Sequence, residues 1–340
     1  MDPSSLRTGN NNPSVDRSSI ASQALQCFFS KHLIDSRVEQ LPGGLSGAWA
    51  FKAVLGEKPF CLKGHRLNGN PAQLQTAHAI QLLAQQRNFS LLPKLTFTPD
   101  GNSLVLHKDR LWELMEWIPG SPILRKNRTF AHLKAGMKGL KDFHHFLKEV
   151  KKGEYLPLPA WEARVAAIRR LVRNFNSLTH SGKKFLLEPT FLEDLLEKVK
   201  WCCHQLEESL VQPPPMTAIQ YCWGDARADN LLFQDERVIG FIDVAGLRLD
   251  GVASDLARFL GDFCLDHPDW FTKGLDYYGD ISLEEVRLVR KLDAMGILAS
   301  IANWFAWMQK GEIPVDIPAM EFRLVEWFER LGKWKERGTF

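Results

Sequence analysis

Apolar and polar residues alternate over short runs in the first third of the chain and recur with helical spacing over most of the rest. Short apolar runs bounded by turn residues predict strands near residues 38–41, 48–54, 59–64, 95–98, 103–107 and 111–118. Helical spacing predicts helices near residues 19–34, 71–87, 129–150, 160–178, 188–210, 253–264, 282–309 and 319–334. The pattern therefore predicts a small sheet followed by a mostly helical part.

The chain divides where this pattern changes. Residues 1–18 are polar and rich in Gly and Pro, which predicts a disordered tail. The strand at 111–118 stops at Pro119-Gly120, and a strand stopped in this way is a natural hinge. We therefore expect an N-lobe that binds nucleotide at 19–118 and a C-lobe at 119–340, which carries the catalytic loop, the metal site and the acceptor pocket.

Three polar residues stand at the ends of apolar strands between Tyr221 and Asp255, a stretch that is typical of strand, loop, strand, turn and strand. They are Asp225, Asn230 and Asp243. A buried strand end rarely carries a carboxylate without a task or a partner. Phosphoryl transfer uses such a set: one Asp takes the proton of an acceptor hydroxyl, and the Asn and second Asp hold a metal. Each residue alone could be an ordinary cap, turn or strand end, but the three together favour a small-molecule kinase.

A glycine-rich loop in the N-terminal part has the composition of a phosphate-binding loop. It carries Gly43, Gly44 and Ser46, whose backbone amides could approach a ligand closely, although alone it is also typical of an ordinary hairpin. Lys63 follows in an apolar strand, where a lysine needs a nearby anion. The order of loop, hairpin and lysine predicts that Lys63 binds nucleotide phosphates.

The last predicted strand of the N-terminal part offers its backbone to the nucleotide. We expect the groups of Glu116, Trp117 and Ile118 to meet an adenine edge beside the hinge.

Bulk composition excludes several classes of partner. The 340 residues carry a net charge of +3 without a run of five like charges, so neither nucleic acid nor a membrane surface is expected as a partner. Six scattered cysteines and no signal peptide predict a cytoplasmic protein with reduced thiols. The longest uncharged run, residues 294–308, is too short to span a bilayer. We expect a monomer or homodimer whose partner is a small molecule.

The motifs of the C-terminal part resemble a known signature. Trp223-Gly-Asp-Ala-Arg-Ala-Asp-Asn230, Gly240-Phe-Ile-Asp243 and Ser254-Asp-Leu-Ala257 are similar to the H-G-D-x-x-x-x-N, I-D and D-x-A motifs of the aminoglycoside phosphotransferase superfamily. The glycine loop, the lysine strand and Trp112–Gly120 match its N-terminal elements, so the resemblance covers about residues 20–335.

The resemblance implies an α+β, two-lobed protein-kinase-like fold with a small antiparallel-sheet N-lobe and a mostly helical C-lobe. It also implies transfer of the γ-phosphate of ATP, with Mg²⁺, to a hydroxyl of a small metabolite or an antibiotic-like acceptor. In this family Asp225 would be the catalytic base, Asn230 and Asp243 the metal ligands, and Lys63 the phosphate-binding residue. Asp255 would tie the catalytic loop to the following helix.

Two positions depart from the signature and leave other functions open. Trp223 stands where the superfamily usually has His, and the helix at 71–87 lacks the acidic residue that usually pairs with the strand lysine. His78 or Gln81 could face Lys63, or the lysine could pair elsewhere. These departures motivate a weak or inactive nucleotide-binding pseudokinase used for partner recognition. A different α/β binding protein is a third possibility.

The acceptor is suggested only by scattered residues. An acidic pocket would suit an amine-bearing acceptor, although surface solvation accounts for most of its candidates, which are Asp250, Asp262, Asp266 and Asp269. Four arginines on one helix face are expected to be solvated: Arg164, Arg169, Arg170 and Arg173. Trp304 and Trp307 are expected in the core rather than stacked on a ligand.

Overall fold

The computed structural model describes residues 16–29, 36–42, 47–67, 70–151, 153–175, 189–279, 281–310 and 317–337. Contacts within the chain group it into two compact units. The first unit comprises Met1–Gly69 and Leu95–Trp117, and the second comprises Asn70–Lys94 and Ile118–Phe340. Each unit is described by itself below.

The first unit is an antiparallel sheet covered on one face by a helix. Its elements are α1 Arg17–Gln26, β1 Ser36–Gln40, β2 Trp49–Leu55, β3 Lys58–Arg66, β4 Leu95–Thr96, β5 Val105–His107 and β6 Arg110–Glu116. The strand order is β1-β2-β3-β6-β4, and β5 also pairs with β6. Alternate residues of β2, β3 and β6, such as Phe51, Leu62 and Trp112, pack with Ala21 and Leu25 of α1 in one core. The period-2 pattern of the sequence therefore marks the face that α1 covers.

The second unit is mostly helical and holds two small sheets. Its helices are α2 Pro71–Gln86, α3 Phe130–Val150, α4 Pro159–Arg173, α5 Pro189–Gln205, α6 Glu207–Val211, α7 Val252–Phe263, α8 Trp270–Tyr278, α9 Leu283–Lys310 and α10 Ile317–Arg337. Its strands are β7 Glu154–Pro157, β8 Met216–Cys222, β9 Leu231–Gln234, β10 Arg237–Phe241 and β11 Arg248–Asp250. The strands β11, β8 and β7 form one sheet, and β9 and β10 form a hairpin.

Helix caps account for where the long helices begin. Thr129 accepts a hydrogen bond from the backbone of His132 and so caps α3, as its sequence predicts. Ser282 and Glu285 bond to each other's backbone amide at the start of α9 and so form a capping box, where the sequence predicts a helix to begin. Trp304 is buried on α9, so its predicted core position is confirmed.

The predicted α+β class, with an antiparallel sheet and a mostly helical remainder, is confirmed. Sequence pattern missed β7, because all four of its residues are exposed and show no alternation. It also missed α8, which has only nine residues. The predicted helix at 188–210 is two helices that meet at Leu206. In the described part of the chain, no helix is long and apolar enough to cross a membrane.

Candidate active site

The loop between β8 and β9 carries the first two predicted site residues, and a glycine sets its path. Gly224 adopts a left-handed backbone conformation (φ 80°), and a Cβ there would collide with the carbonyl oxygen of Gly246. Only glycine fits both conditions. The next residue, Asp225, keeps about a third of its side chain exposed.

Asn230 and Arg258 hold the Asp225 carboxylate from two sides. Asn230 Nδ2 donates to the Asp225 carbonyl oxygen at 2.9 Å and to its Oδ2 at 3.3 Å. Arg258 Nη2, from α7, donates to Asp225 Oδ1 at 3.1 Å. The amide nitrogen of Asn230 is thus committed to the loop, which turns its amide oxygen toward other partners.

The β9–β10 hairpin brings the third residue to the same loop. The Ile242 amide donates to the Asn230 carbonyl oxygen at 3.0 Å, so Asp243 lies one residue beyond this contact. Asp243 has φ 57° and ψ 46°, a left-handed conformation that costs a non-glycine residue about 1–3 kcal/mol. Such strain is concentrated at functional sites. The carboxylate of Asp243 and the amide oxygen of Asn230 are hard ligands of the kind that Mg²⁺ prefers, so this donor set fits the predicted metal.

Asp255 is hydrogen-bonded to this loop and belongs to a buried hydrogen-bonded group. We call this group the Asp255 network and define it by Asp255, His144 and Tyr278. The Trp223 amide donates to Asp255 Oδ2 at 2.6 Å and the Gly224 amide donates to Oδ1 at 2.8 Å. His144 Nε2 donates to Oδ2 at 3.0 Å, and its Nδ1 bonds to the Tyr278 hydroxyl at 2.9 Å. The implied role of Asp255, to tie the catalytic loop to α7, agrees with these contacts.

The same network explains a cluster with the composition of a metal site. His144, Asp255 and Cys222 lie close enough to share an ion. Both ring nitrogens of His144 are already hydrogen-bonded, however, and Cys222 Sγ donates to the Asp250 carbonyl oxygen at 3.3 Å. Burial raises the pKa of the Cys222 thiol well above its usual value, which disfavours the thiolate that a metal needs. The cluster is therefore a hydrogen-bonded core.

Trp223 fills an aromatic core beneath the catalytic loop. Its ring is fully buried and meets Phe241 edge-on at 4.8 Å between centroids and Phe143 at 6.2 Å. Its backbone amide, rather than its side chain, makes the bond to Asp255. A Trp in place of the usual His thus fills the core with an apolar ring, and the backbone hydrogen bond that anchors the loop to Asp255 is kept.

Lys63 lies on β3 of the first unit, in register with a buried acid. Its partner position across the β3–β6 ladder is Glu113, so the two side chains share one face of the sheet. Glu113 Oε1 also bonds to His65 Nε2 at 2.7 Å. The acidic residue absent from α2 is thus present on the neighbouring strand. The helix α2 groups with the second unit, where Gln81 donates to the Pro93 carbonyl oxygen at 3.3 Å.

The predicted adenine-binding residues lie at the end of β6 and directly after it. Glu116 is the last residue of that strand, and the first unit ends at Trp117. Ile118 opens the next segment of the second unit; its carbonyl oxygen accepts from the Gly120 amide at 2.9 Å, and its side chain packs against Gly240. The predicted phosphate loop, with Gly43, Gly44 and Ser46, lies outside the described residues.

Comparison with known proteins decides the family. A family model described as the APH phosphotransferase enzyme family matches residues 37–289, about three quarters of the chain. The chain belongs to this family. The match confirms the resemblance drawn from the motifs and the prediction of a small-molecule phosphotransferase with an alcohol group as acceptor. No curated protein sequence matches the chain significantly.

Solved structures share the fold of this phosphotransferase at low sequence identity. The spectinomycin phosphotransferase APH(9)-Ia, solved with ADP and spectinomycin, is 16% identical, with a TM-score of 0.63 and 92% of each chain covered. The amicoumacin kinase hAmiN, solved with AMP-PNP and Ca²⁺, is 9% identical, with a TM-score of 0.54 over 87% of this chain and 88% of that chain. A choline kinase from Cryptosporidium parvum Iowa II is 13% identical, with a TM-score of 0.53 over 88% and 89%. These likenesses show the fold.

Beside the catalytic loop of the phosphotransferase lies a cavity of about 150 Å³ that four arginines line. We call it the arginine cavity and define it by Arg164, Arg248, Arg258 and Arg330, which come from α4, β11, α7 and α10. Gly224 of the catalytic loop also lines it. The prediction that Arg164 is a solvated surface residue is therefore wrong, whereas Arg169, Arg170 and Arg173 of the same helix are exposed.

The acidic acceptor pocket considered from the sequence does not form. Asp250 and Asp262 are buried and accept hydrogen bonds from the backbone amides of Ala160 and Ala228, so they are not solvated either. The two exposed acids are engaged as well: Asp266 pairs with Arg125 and Asp269 pairs with Lys273.

Two residues of the site escaped sequence reasoning. Arg258 stands three positions after Asp255 on α7, so helical spacing could have placed both on neighbouring faces. Arg164 gave no such signal, because its helix face is basic throughout and only the packing of α9 distinguishes one arginine from the next.

Proposed function

We propose that this protein is a magnesium-dependent kinase that transfers the γ-phosphate of ATP to a hydroxyl group of a small molecule. One observation supports the proposal most: Asn230 Nδ2 donates to both the carboxylate and the carbonyl oxygen of Asp225, while the hairpin contact at Ile242 brings Asp243 next to the same loop. The proposed base and one proposed metal ligand thus lie on the loop between β8 and β9, and the second proposed ligand follows β10 beside it.

In the proposed reaction, Asp225 orients the acceptor hydroxyl and takes its proton as the new bond to phosphorus forms. Arg258 and Asn230 fix the direction of the carboxylate, so that little reorganisation is needed when the acceptor arrives. Asn230 and Asp243 would hold the metal through their side-chain oxygens. When bound, magnesium neutralises the charge of the nucleotide phosphates.

The nucleotide is assigned to residues of the first unit and its end. Lys63 binds the phosphates, the loop with Gly43, Gly44 and Ser46 covers them, and the backbone of residues 116–118 meets the base. Nucleotide complexes of the similar spectinomycin and amicoumacin phosphotransferases support a nucleoside triphosphate as the donor.

Thermal unfolding with a non-hydrolysable nucleotide tests the metal and the donor together. We expect AMP-PNP with Mg²⁺ to raise the Tm, because a ligand that binds only the folded state stabilises it. We expect Asp243→Ala to lose the magnesium-dependent part of this rise. Glu236→Ala, an exposed change on the same hairpin, is the control and should behave like the native protein.

Three outcomes separate the alternatives. A Tm that does not respond to nucleotide contradicts the proposal. A magnesium-dependent response without phosphoryl transfer to any acceptor in a broad metabolite screen supports the pseudokinase. A response together with transfer supports the kinase.

A further inference from the structure

We infer that the acceptor of this kinase is an anionic alcohol, a small molecule with a hydroxyl group and a carboxylate or phosphate group that Arg164 binds in the arginine cavity. The inference rests on the proposed function and names its substrate class.

The arginine cavity lies next to the loop that carries Asp225. Gly224, which precedes Asp225 in the chain, lines the cavity, and so does Arg258, whose guanidinium bonds to Asp225. A group that is bound in the cavity therefore lies beside the carboxylate that would take the acceptor proton. Cavities of about this volume admit a molecule of roughly benzene size. The cavity thus suits a short acceptor or one end of a longer one.

Among the described residues, Asp293 is the carboxylate that lines the cavity, Asp225 and Asp250 contact its arginines, and all three have cationic partners. Asp293 pairs with Arg330 and also accepts from Trp334 Nε1 at 3.2 Å. Asp225 pairs with Arg258, and Asp250 pairs with Arg248. An amine-bearing acceptor would have to break one of these pairs. The arrangement therefore disfavours a cationic acceptor.

Arg164 is the arginine that the protein leaves unmatched. Its Nη1 is buried and has no hydrogen-bond partner among the residues that the structure describes. Burial lowers the pKa of Arg164 to about 10; the nearby carboxylates of Asp250 and Asp293 oppose this effect, and the nearby Arg248 and Arg258 add to it. The group still carries its proton at neutral pH. A buried guanidinium donor without an acceptor is costly, and arginines outnumber carboxylates in the lining, so the site is suited to receive an anion.

A second polar group at the same cavity is also unmatched. Ser254 Oγ is buried without a hydrogen-bond partner among the described residues, and Ser254 lines the cavity together with Arg164. A guanidinium fork matches the two oxygens of a carboxylate or phosphate, and a hydroxyl donates one further bond. The two orphan groups thus have the chemistry of one oxyanion site.

A matched series of three-carbon alcohols tests the charge of the ligand. The four probes are glycerate, glycerol 3-phosphate, glycerol and 3-amino-1,2-propanediol, which carry a carboxylate, a phosphate, no charge and an ammonium group. Their affinities for the full chain are measured by calorimetry, with and without AMP-PNP and Mg²⁺. We expect at least one of the two anions to bind about tenfold or more tightly than the neutral and cationic probes. The ranking of the two anions distinguishes a carboxylate from a phosphate acceptor.

Variants of Arg164 test the residue. We expect Arg164→Gln to lower the affinity for the preferred anion about 10- to 100-fold, as for the loss of a charged hydrogen bond. Arg164→Lys should recover part of this loss. Arg173→Gln, an exposed change on the same helix, is the matched control and should have no effect. Circular dichroism and the Tm of each variant verify that it folds.

Other results would contradict either the anion site or the proposed kinase function. Equal or tighter binding of glycerol or the amine overturns the inference, and so does an Arg164→Gln variant that keeps the native affinity for the anion. Loss of AMP-PNP affinity in Arg164→Gln with unchanged anion binding would also overturn it, because Arg164 would then serve the nucleotide. A protein that binds the anion but not AMP-PNP would contradict the proposed function and leave the anion site standing.

Discussion

The backbone amide and carbonyl groups of Gly224 bond to two different regions. Buried polar groups are hydrogen-bonded in one of these regions, and two of them lack a partner in the other. The amide of Gly224 donates to Asp255 of the Asp255 network, and its carbonyl oxygen accepts from Arg248 of the arginine cavity at 3.0 Å. In the network, the carboxylate and both nitrogens of His144 are hydrogen-bonded. In the cavity, Arg164 and Ser254 keep buried polar atoms without a partner in the described part of the chain.

This difference in hydrogen bonding indicates that the network serves stability and that the cavity serves ligand binding. A satisfied buried network contributes to folding and fixes the loop, whereas an unsatisfied buried group costs folding free energy that a ligand can return. One side of the catalytic loop is thus arranged to stay in place, and the other is arranged to receive a molecule.

Removal of the anchor carboxylate should have the largest effect on stability. Asp255→Ala leaves two loop amides and His144 without their acceptor, and we expect a loss of about 3–5 kcal/mol in the free energy of unfolding. Urea unfolding measures this loss. Asp269→Ala, which removes an exposed pair with Lys273, is the control and should leave the free energy of unfolding close to native. A loss of similar size in both variants would show that the network is not an anchor.

The residue that departs from the family signature should come next. Trp223→His replaces a fully buried ring between Phe143 and Phe241 by a smaller polar one, and we expect a loss of about 2–4 kcal/mol. Trp223→Phe keeps an aromatic ring and removes an indole N–H that is buried without a partner among the described residues, so it should lose less. A histidine variant as stable as the native protein would contradict this interpretation of Trp223.

Acid should weaken the network through Asp255 itself. Burial alone would raise the pKa of Asp255, but the hydrogen bond and charge of His144 outweigh it, so that the folded-state pKa is lowered. The stability that ionised Asp255 contributes is therefore present above its ordinary value of about 4 and is lost as the pH falls through the lower folded value. The difference in unfolding free energy between the native protein and Asp255→Asn should shrink as the pH is lowered from about 6 to 2. A difference that stays constant would contradict the assignment.

Substitution of one glycine that lines the arginine cavity should raise stability and weaken ligand binding. Gly296 lies in the interior of α9 and lines the arginine cavity, where a Cβ would lie 3.7 Å from Arg164 Nε. Because alanine favours a helix interior over glycine, we expect Gly296→Ala to gain about 0.5–1 kcal/mol in unfolding free energy. The added methyl group narrows the cavity and should lower the affinity for the anionic probe. A stabilised variant with unchanged affinity would show that the ligand lies elsewhere.

The sequence was enough to predict the catalytic loop and its anchor, because their residues lie close together in the chain. Asp225 and Asn230 are five residues apart on one loop and Asp255 begins the next helix, so motif and strand pattern were enough to single them out. Glu113 was missed because the β3–β6 register pairs it with Lys63 from 50 positions away. Arg164 was missed because the cavity that it lines also depends on residues of α9 and α10. The acidic cluster misled because Asp262 and Asp266 pair with the distant Arg128 and Arg125. Long-range pairing of charges is what a local pattern does not contain.

The central claim is that Asp225 performs phosphoryl transfer, and its most direct test is the turnover of Asp225→Asn. The measurement is the initial rate of ADP formation, with ATP and Mg²⁺, on an acceptor selected from an anionic metabolite fraction. We expect kcat to fall about 10²- to 10⁴-fold, as for the loss of a general base, while the affinity for AMP-PNP stays close to native and Arg173→Gln keeps full activity. A native kcat in Asp225→Asn would remove Asp225 from the reaction and contradict the account.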